Sequence, residues 1–120
     1  MTPPHQTLPA RQRLGGKKQF SAVFDAKTRV SQTFLTIYAK PNGLNFSRLG
    51  LNVSRRVGTA PRRNRIKRLL RESFRLMKND LPNGYDWVIV VRPHEPVSLG
   101  QYQNLLATMT ADLHKRCAGC

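Results

Sequence analysis

Apolar residues recur at helical spacing in the most basic segment of the chain, residues 62–77. At 100° per residue, one side of this segment carries Ile66, Leu69, Leu70, Ser73, Phe74 and Met77. The opposite side carries charge, at Arg65, Arg68, Glu72 and Arg75. A disordered basic tail has no need of this period, so the pattern predicts a helix with one buried side and one cationic side.

Both ends of this basic helix are marked in the sequence. Thr59 can accept a hydrogen bond from an unpaired amide at the start, and Pro61 is tolerated in the first turn, where no intrahelical donor is lost. Residues 81–84 (LPNG) are typical of a helix end. We therefore expect the basic helix to lie between these two signals.

Two further helices are predicted, one near each end of the chain. Apolar residues recur at helical spacing within residues 17–27 and again from residue 99 to residue 113. Ser98 and Gln101 resemble a capping box, in which each residue bonds the backbone amide of the other. The last helix should therefore begin directly after Ser98.

Three segments have the pattern of strands. Residues 34–39 and 48–54 alternate between two faces, and the turn residues 41–43 stand between them, so we expect these two strands to pair as a hairpin. Residues 86–91 form a nearly continuous apolar run, which is typical of a strand covered on both faces. This last strand is expected inside the sheet.

The order helix, strand, strand, basic helix, strand, helix predicts an α+β fold in which helices pack on one sheet. A chain of 120 residues with 39% hydrophobic content suits a single domain. We assign residues 1–16 to a flexible basic N-terminal arm, residues 17–116 to the folded domain and residues 117–120 to a C-terminal tail.

The charge of the chain is strongly positive and unevenly distributed. Lys and Arg number 21 against 6 Asp and Glu, a formal net charge of +15, and 11 of the 21 cations lie between Arg48 and Lys78. Such concentration indicates a binding surface for a polyanion. No segment is long and apolar enough to span a membrane and no signal peptide opens the chain, so we expect a cytoplasmic protein.

The sequence shows no assembled catalytic centre. The six carboxylates stand singly, at Asp25, Glu72, Asp80, Asp86, Glu95 and Asp112, and no glycine-rich phosphate loop is present. Cys117 and Cys120 lack the further ligands that a zinc site needs, so we expect two reduced thiols at a frayed terminus. The pattern favours a binding protein over a self-sufficient catalyst.

Aromatic residues near the cations offer a second candidate site. Single-stranded nucleic acid is held by stacking its bases on rings beside a cationic groove. The candidates are Phe20, Phe24, Phe34 and Tyr38. For each ring taken alone, packing in the core is the favoured interpretation. Phe34 and Tyr38 are the stronger candidates, because strand alternation places them with Thr36 on one face.

Several segments of the sequence closely resemble a known family. Residues 48–58 (RLGLNVSRRVG) and 63–68 (RNRIKR) closely resemble the protein subunit of bacterial ribonuclease P. Residues 20–24 (FSAVF) and 85–90 (YDWVIV) fit the same pattern, and the resemblance extends from Leu14 to Leu113. It implies a four-stranded sheet with three helices in a two-layer sandwich, with a left-handed βαβ crossover at the basic helix, against the general preference.

The resemblance also implies a function. The family's protein binds a catalytic RNA, one protein per RNA, and the single-stranded 5′ leader of precursor tRNA. The RNA and its Mg²⁺ ions cut the phosphodiester bond that releases the mature tRNA 5′ end. No organic cofactor and no catalytic residue of the protein are implied, which agrees with the scattered carboxylates.

The family's binding residues can be assigned to positions of this chain. The catalytic RNA is expected to contact Arg55, Arg56, Arg63, Asn64, Arg65, Lys67, Arg68 and Arg71. The leader is expected in a cleft between the first helix and the sheet, lined by Lys17, Phe20, Phe24, Phe34, Tyr38 and Ser54. Pro61 and Arg62 depart from the family pattern, which leaves the start of the basic helix and the role of Arg62 open.

Three other functions use some of the same features. A ribosomal or RNA-chaperone protein would carry the same charge but show no preference for a 5′ leader. A DNA-binding module would need a recognition helix free to enter the major groove. An independent protein nuclease would cleave precursor tRNA with Mg²⁺ and without the RNA subunit.

Overall fold

The computed structural model describes residues 12–14 and 16–118. The helices are α1 (Gly16–Asp25), α2 (Ala60–Met77) and α3 (Leu99–Ala118), and the strands are β1 (Arg29–Gln32), β2 (Leu35–Pro41), β3 (Arg48–Val53) and β4 (Tyr85–Val91). A 3-10 turn, Arg55–Val57, connects β3 to α2. Most of the predicted N-terminal arm and Cys120 lie outside the described residues.

The four strands form one mixed sheet in the order β1-β2-β4-β3. β1 with β2 and β2 with β4 are antiparallel, whereas β3 and β4 are parallel and are connected through α2. The predicted α+β fold, a four-stranded sheet with three helices, is confirmed. The βαβ crossover at the basic helix is present as well, and its left-handed sense stays a prediction.

The predicted hairpin between the strands at 34–39 and 48–54 is wrong. β4 lies between β2 and β3, with Ile89 opposite both Ile37 and Leu51. β4 takes this place because its residues are apolar toward both faces, and only an inner position covers both. The partner of β2 on its other side is β1, a short strand of mostly exposed residues that the hydrophobic pattern does not reveal.

The main core lies between the sheet and a layer formed by α2 and α3. Trp87 and Ile89 of β4 point into it, and Leu70 of α2 and Leu106 of α3 pack against them, each at most 1% exposed. Burial of these large apolar side chains fixes α2 on the sheet. The cationic side of α2 consequently faces away from the core.

A smaller cluster lies on the opposite face of the sheet, under α1. Val23 of α1 and Val88 of β4 are completely buried there, and Leu14 joins them. The alternation of β4 explains the two clusters, since Val88 and its neighbour Ile89 point to opposite faces. α1 is therefore attached to the sheet separately from α2 and α3.

Both predicted domain boundaries shift in the structure. Leu14 is buried and its amide donates to the carbonyl oxygen of Leu49 at 2.8 Å, while Arg13 forms a parallel bridge to the same residue. The folded domain thus begins before residue 16. At the other end, Cys117 is a half-buried residue of α3 that packs against the main core, and it does not belong to a frayed tail.

The predicted start of α3 is confirmed in detail. The amide of Ser98 donates to Oε1 of Gln101 at 3.1 Å, and the amide of Gln101 donates to Oγ of Ser98 at 3.2 Å. This is the reciprocal pair of a capping box. The first helix, predicted at residues 17–27, is found at Gly16–Asp25.

Candidate nucleic-acid interface

The basic helix buries the side that its period predicts. Ile66, Leu70, Ser73 and Phe74 are buried, whereas Arg65 and Arg68 are exposed. The one polar group on the buried side is satisfied, because Oγ of Ser73 donates to the carbonyl oxygen of Leu69 at 2.8 Å. α2 therefore presents Arg65 and Arg68 to solvent from a fixed position.

The start of α2 agrees with the predicted signals. Thr59 is the N-cap, and its side chain accepts from the amide of Arg62 at 3.4 Å. The helix begins at Ala60, so Pro61 lies within its first turn without interrupting it. Arg62 forms an ion pair with Glu95 at 3.0 Å, which separates its side chain from the other cations of α2.

Most of the cations on α2 have no internal counter-ion. Glu72 pairs with Arg75, and Glu95 pairs with Arg62. Among the described residues, no carboxylate lies within 4.0 Å of the five remaining cations in the predicted set, Arg63, Arg65, Lys67, Arg68 and Arg71. Nε of Arg63 is moreover buried without an acceptor in this part of the protein. The helix thus has unused capacity for an anionic partner.

The other predicted contacts to RNA continue this surface toward the N-terminus of α2. Arg55 and Arg56 are exposed on the 3-10 turn, which buried Val57 anchors, and Asn64 is exposed on α2. An 18-residue helix is about 27 Å long. We call residues 55–71 of this turn and helix the cationic face.

Three of the predicted aromatic residues lie together on the α1 side of the sheet. The rings of Phe24 and Tyr38 meet edge to face with centroids 4.8 Å apart, and Phe20 follows at 6.5 Å from Phe24. All three rings are half-buried, so each contributes to packing and still exposes part of its surface. We call this group the aromatic strip.

The sheet continues beside the aromatic strip as an accessible surface. Two neighbouring rows cross β2, β4 and β3 on this face, Tyr38–Val88–Gly50 and Thr36–Val90–Asn52. α1 packs over the first row, through Val23 and Phe20. In the second row Asn52 is exposed and Val90 half-buried, whereas Thr36 is buried, so the row is accessible beside α1 toward β3.

Two cations beside Tyr38 and Thr36 were not predicted from the sequence. Arg29 of β1 lies opposite Tyr38, donates to its hydroxyl at 3.2 Å and places its guanidinium carbon 5.9 Å from the ring centroid. Arg92 donates to Oγ1 of Thr36 at 3.1 Å. The register of the strands brings both arginines to these positions, and no local feature of the sequence predicts that register.

Phe34 does not belong to the aromatic strip. Its ring stacks on His94 with centroids 3.6 Å apart and meets Tyr102 edge-on, on the side of the sheet that carries α3. Phe34 precedes β2, next to Thr33 with its φ of 51°, so it does not follow the alternation that includes Tyr38. The predicted placement of Phe34 in the cleft is corrected accordingly.

The other two residues predicted for the cleft are both exposed. Lys17 lies in the first turn of α1, and Ser54 lies between β3 and the 3-10 turn. Their side chains are therefore accessible to a ligand.

A groove of about 350 Å³ connects the aromatic strip to the cationic face. Phe20 and Gly50 line one part of it, and Arg13 and Arg71 line another. Burial, and secondly the positive charge of Arg13, lower the pKa of the Arg71 guanidinium. Two cations therefore converge beside an aromatic ring, and Arg13, which belongs to the predicted N-terminal arm, is a further candidate contact.

Gly50 is required by the close approach of Phe20 to the sheet. A Cβ atom at this position would lie 2.7 Å from Cζ of Phe20 and 3.2 Å from Cβ of Leu14. We expect Gly50→Ala to lower the free energy of unfolding by about 1 to 3 kcal/mol, because the ring must move. Urea denaturation measures the change. Gly100→Ala is the matched control, since its nearest neighbour is 4.0 Å away, and an equal loss there would contradict this explanation.

The carboxylates of the described residues are not gathered for metal binding. No three His, Cys, Asp or Glu side chains within residues 12–14 and 16–118 lie close enough together to hold a metal ion. Asp86 and Glu72 are instead engaged by Arg48 and Arg75. In the same part of the chain, none of the helices combines the length and apolar composition that crossing a membrane requires.

Fold and surfaces together define a small basic α+β domain whose cations are concentrated on one helix of a βαβ crossover. The family model for ribonuclease P matches residues 8–116 of this chain. The chain belongs to the ribonuclease P protein family, which confirms the resemblance seen in residues 48–58 and 63–68.

Individual relatives support this assignment. The ribonuclease P protein component of Methylococcus capsulatus is 40% identical over 114 residues, which are 93% of this chain and 88% of that protein. That of Caldanaerobacter subterraneus subsp. tengcongensis is 44% identical over 75 residues, 62% of this chain and just under two thirds, 65%, of the relative. The solved RNase P protein from Thermotoga maritima superposes with a TM-score of 0.73 at 32% identity, covering 82% of this chain and 98% of that one.

Proposed function

We propose that this protein binds the catalytic RNA of ribonuclease P through the cationic face and the 5′ leader of precursor tRNA along the aromatic strip. The observation that carries the proposal is the set of five α2 cations that have no carboxylate within 4.0 Å in the described structure. Their mutual repulsion is relieved when phosphates approach. Family membership supports RNA as the source of those phosphates.

The aromatic strip supports the second half of the proposal. Phe20, Phe24 and Tyr38 expose part of their rings beside a sheet surface bordered by Arg29 and Arg92. Stacking accepts any base, as binding of leaders with different sequences requires. The groove with Arg13 and Arg71 would carry the backbone of the leader toward the cationic face.

In this proposal the protein supports cleavage without performing it. Its cations screen the repulsion between two RNAs, and its rings favour substrate that has a leader over product that has none. Asp86 and Glu72 are held by arginines, so these carboxylates do not fit a Mg²⁺ site. We assign to the catalytic RNA the Mg²⁺ ions that neutralise phosphate oxygens during hydrolysis. One protein per RNA and a cytoplasmic location stay predictions.

Reconstitution with the catalytic RNA tests the leader assignment. We expect the complex to bind precursor tRNA more tightly than mature tRNA. We expect Phe20→Ala to weaken precursor binding by about 1 to 3 kcal/mol, because a stacking surface is lost. Mature tRNA should be affected far less. Equal losses for the two substrates would show that Phe20 only supports the fold.

Phe34→Ala provides a matched control for this measurement. It removes the same ring from the opposite face of the sheet. The ratio of the affinities of the Phe34→Ala complex for precursor and mature tRNA should equal that of the unchanged protein, even if the variant is less stable. Cleavage of precursor tRNA by the protein and Mg²⁺ alone would overturn the division of labour between protein and RNA.

A further inference from the structure

Arg29 is an exposed cation at the edge of the sheet that no ion pair explains. It lies on β1, the outer strand beside β2, where it pairs with Tyr38. Its neighbour Val30 packs against the main core, so Arg29 points to the opposite face of the sheet, which carries α1. Within residues 12–14 and 16–118, no carboxylate lies within 4.0 Å of its guanidinium.

The guanidinium of Arg29 is held over Tyr38. Nη1 donates to the Tyr38 hydroxyl at 3.2 Å, and the guanidinium carbon lies 5.9 Å from the ring centroid. An edge cation that merely discourages pairing with another sheet has no need of this orientation. A guanidinium has five N–H donors, and within the described part of the chain the one hydrogen bond of this group is that to Tyr38. Its other donors are open to an acceptor outside the protein.

Arg29 extends the aromatic strip to the edge of the sheet. Phe20 lies against Gly50 of β3, and Phe24 lies against Tyr38 of β2, so the strip follows α1 across the strands. β1 is the next strand beyond β2. β3 and β1 are three strand spacings apart, about 14 Å. The half-buried rings therefore lie between Arg29 and the opposite edge of the sheet.

Cations stand at both ends of the aromatic strip. Arg13 and Arg71 line the groove beside Phe20 at one end, and Arg29 lies beside Tyr38 at the other. In sites for single-stranded nucleic acid, rings stack on the bases and cations contact the backbone. The arrangement therefore fits a strand that passes from Arg71 along the rings to Arg29.

We propose that Arg29 binds a phosphate of the 5′ leader at the end of the aromatic strip farthest from the cationic face. The proposal rests on the proposed function in one respect, namely that the leader lies along the aromatic strip. Because Arg71 belongs to the cationic face, the part of the leader next to the cleavage site lies at that end, and nucleotides farther upstream reach Arg29. A leader too short to reach Arg29 lacks this contact, so Arg29 makes affinity depend on leader length.

Precursor tRNAs whose leaders lengthen by one nucleotide at a time test this contact. In the complex of catalytic RNA and unchanged protein, affinity should rise about fivefold at the leader length that first reaches Arg29, the effect of one exposed charge pair. Arg29→Ala should remove this step and leave the affinities for shorter leaders and mature tRNA unchanged. Arg116→Ala removes the same charge from α3 and should keep the step. An equal loss at every leader length, or no loss at any, would overturn the proposal.

Neutral linkages in the leader identify the phosphate that Arg29 contacts. A set of precursor tRNAs is prepared in which each carries a single methylphosphonate at a different position of the leader. In the unchanged complex, the linkage opposite Arg29 should weaken binding about fivefold when it is made neutral. In the Arg29→Ala complex the same linkage should have no effect, because the charge pair is already lost. If every linkage has the same effect in both complexes, Arg29 does not contact a leader phosphate.

Two further variants separate a phosphate contact from support of the Tyr38 ring. Tyr38→Phe removes the hydroxyl that accepts from Arg29 and retains both the ring and the guanidinium. Arg29→Lys retains the positive charge and loses the planar guanidinium. We expect the step with leader length to persist in Tyr38→Phe and most of it to persist in Arg29→Lys. Loss of the step in Tyr38→Phe would show that Arg29 acts only through the hydroxyl of Tyr38.

The same measurements distinguish failure at Arg29 from failure of the proposed function. If the unchanged complex binds precursor and mature tRNA equally, the assignment of the leader to the aromatic strip is wrong, and the role of Arg29 falls with it. If the unchanged complex prefers precursor tRNA and Arg29→Ala retains every step in the length series, the proposal for Arg29 alone is wrong.

Discussion

Raising monovalent salt from 50 to 200 mM is expected to weaken binding of the catalytic RNA to this protein roughly a thousandfold or more. The physical reason is the release of counter-ions from each phosphate that a cation replaces. The predicted contact set contains seven cations, Arg55, Arg56, Arg63, Arg65, Lys67, Arg68 and Arg71. The slope of log affinity against log salt measures how many of them engage phosphate.

Single substitutions make this measurement specific to the cationic face. Arg65→Ala should reduce the magnitude of the slope by about 1, because one exposed and unpaired cation is removed. Arg116→Ala removes the same charge from α3, where Asp112 lies 3.5 Å from Nε, and should leave the slope unchanged. A flat response to salt in the unchanged protein would contradict the assignment of the cationic face.

Replacing Arg48 by Met is expected to destabilise the fold by about 3 to 5 kcal/mol. Nε and Nη2 of Arg48 donate to the two carboxylate oxygens of Asp86 at 2.8 and 2.7 Å. The Asp86 side chain is only 7% exposed, and Nδ2 of Asn42 also donates to Asp86 Oδ1 at 2.9 Å. Removal of the guanidinium would leave a buried charge with too few partners. Urea denaturation gives the change in the free energy of unfolding.

Two further variants test why Arg48→Met loses stability. Arg116→Met breaks an ion pair whose side chains are 57% and 46% exposed, and it should cost about 0 to 1 kcal/mol. Arg48→Met combined with Asp86→Leu removes both charges and should recover most of the lost stability. A double variant no more stable than Arg48→Met alone would show that the packing of the arginine stem, and not the stranded carboxylate, causes the effect.

The strength of local periodicity explains which elements the sequence predicts. α2 combines a long helical period with Thr59 at its start, and α3 combines one with the Ser98–Gln101 capping box. β1 has neither length nor an apolar face, because it is an edge strand with mostly exposed side chains. The pairing of β2 with β4 joins segments far apart in the chain, which local pattern does not encode.

The same distinction applies to the candidate site. The cations of α2 are recognisable because they adjoin in sequence. Arg29 reaches Tyr38 only through strand register, and Arg13 reaches Arg71 only because its segment bridges to the edge of β3. The prediction for Phe34 is wrong because this residue lies in a turn directly before β2, where the strand alternation does not apply.

The parallel pair formed by β3 and β4 ties the stability of the cationic helix α2 to that of the whole domain. α2 is the connection between these two strands, and its buried side packs on the sheet through Leu70 and Phe74. The helix therefore cannot detach without opening the main core. Repulsion among its arginines consequently lowers the free energy of unfolding of the whole domain. A polyanion that binds only the native state shifts the folding equilibrium of every element at once. In the cell, the assembled ribonucleoprotein would then be the state in which this polypeptide is most resistant to unfolding.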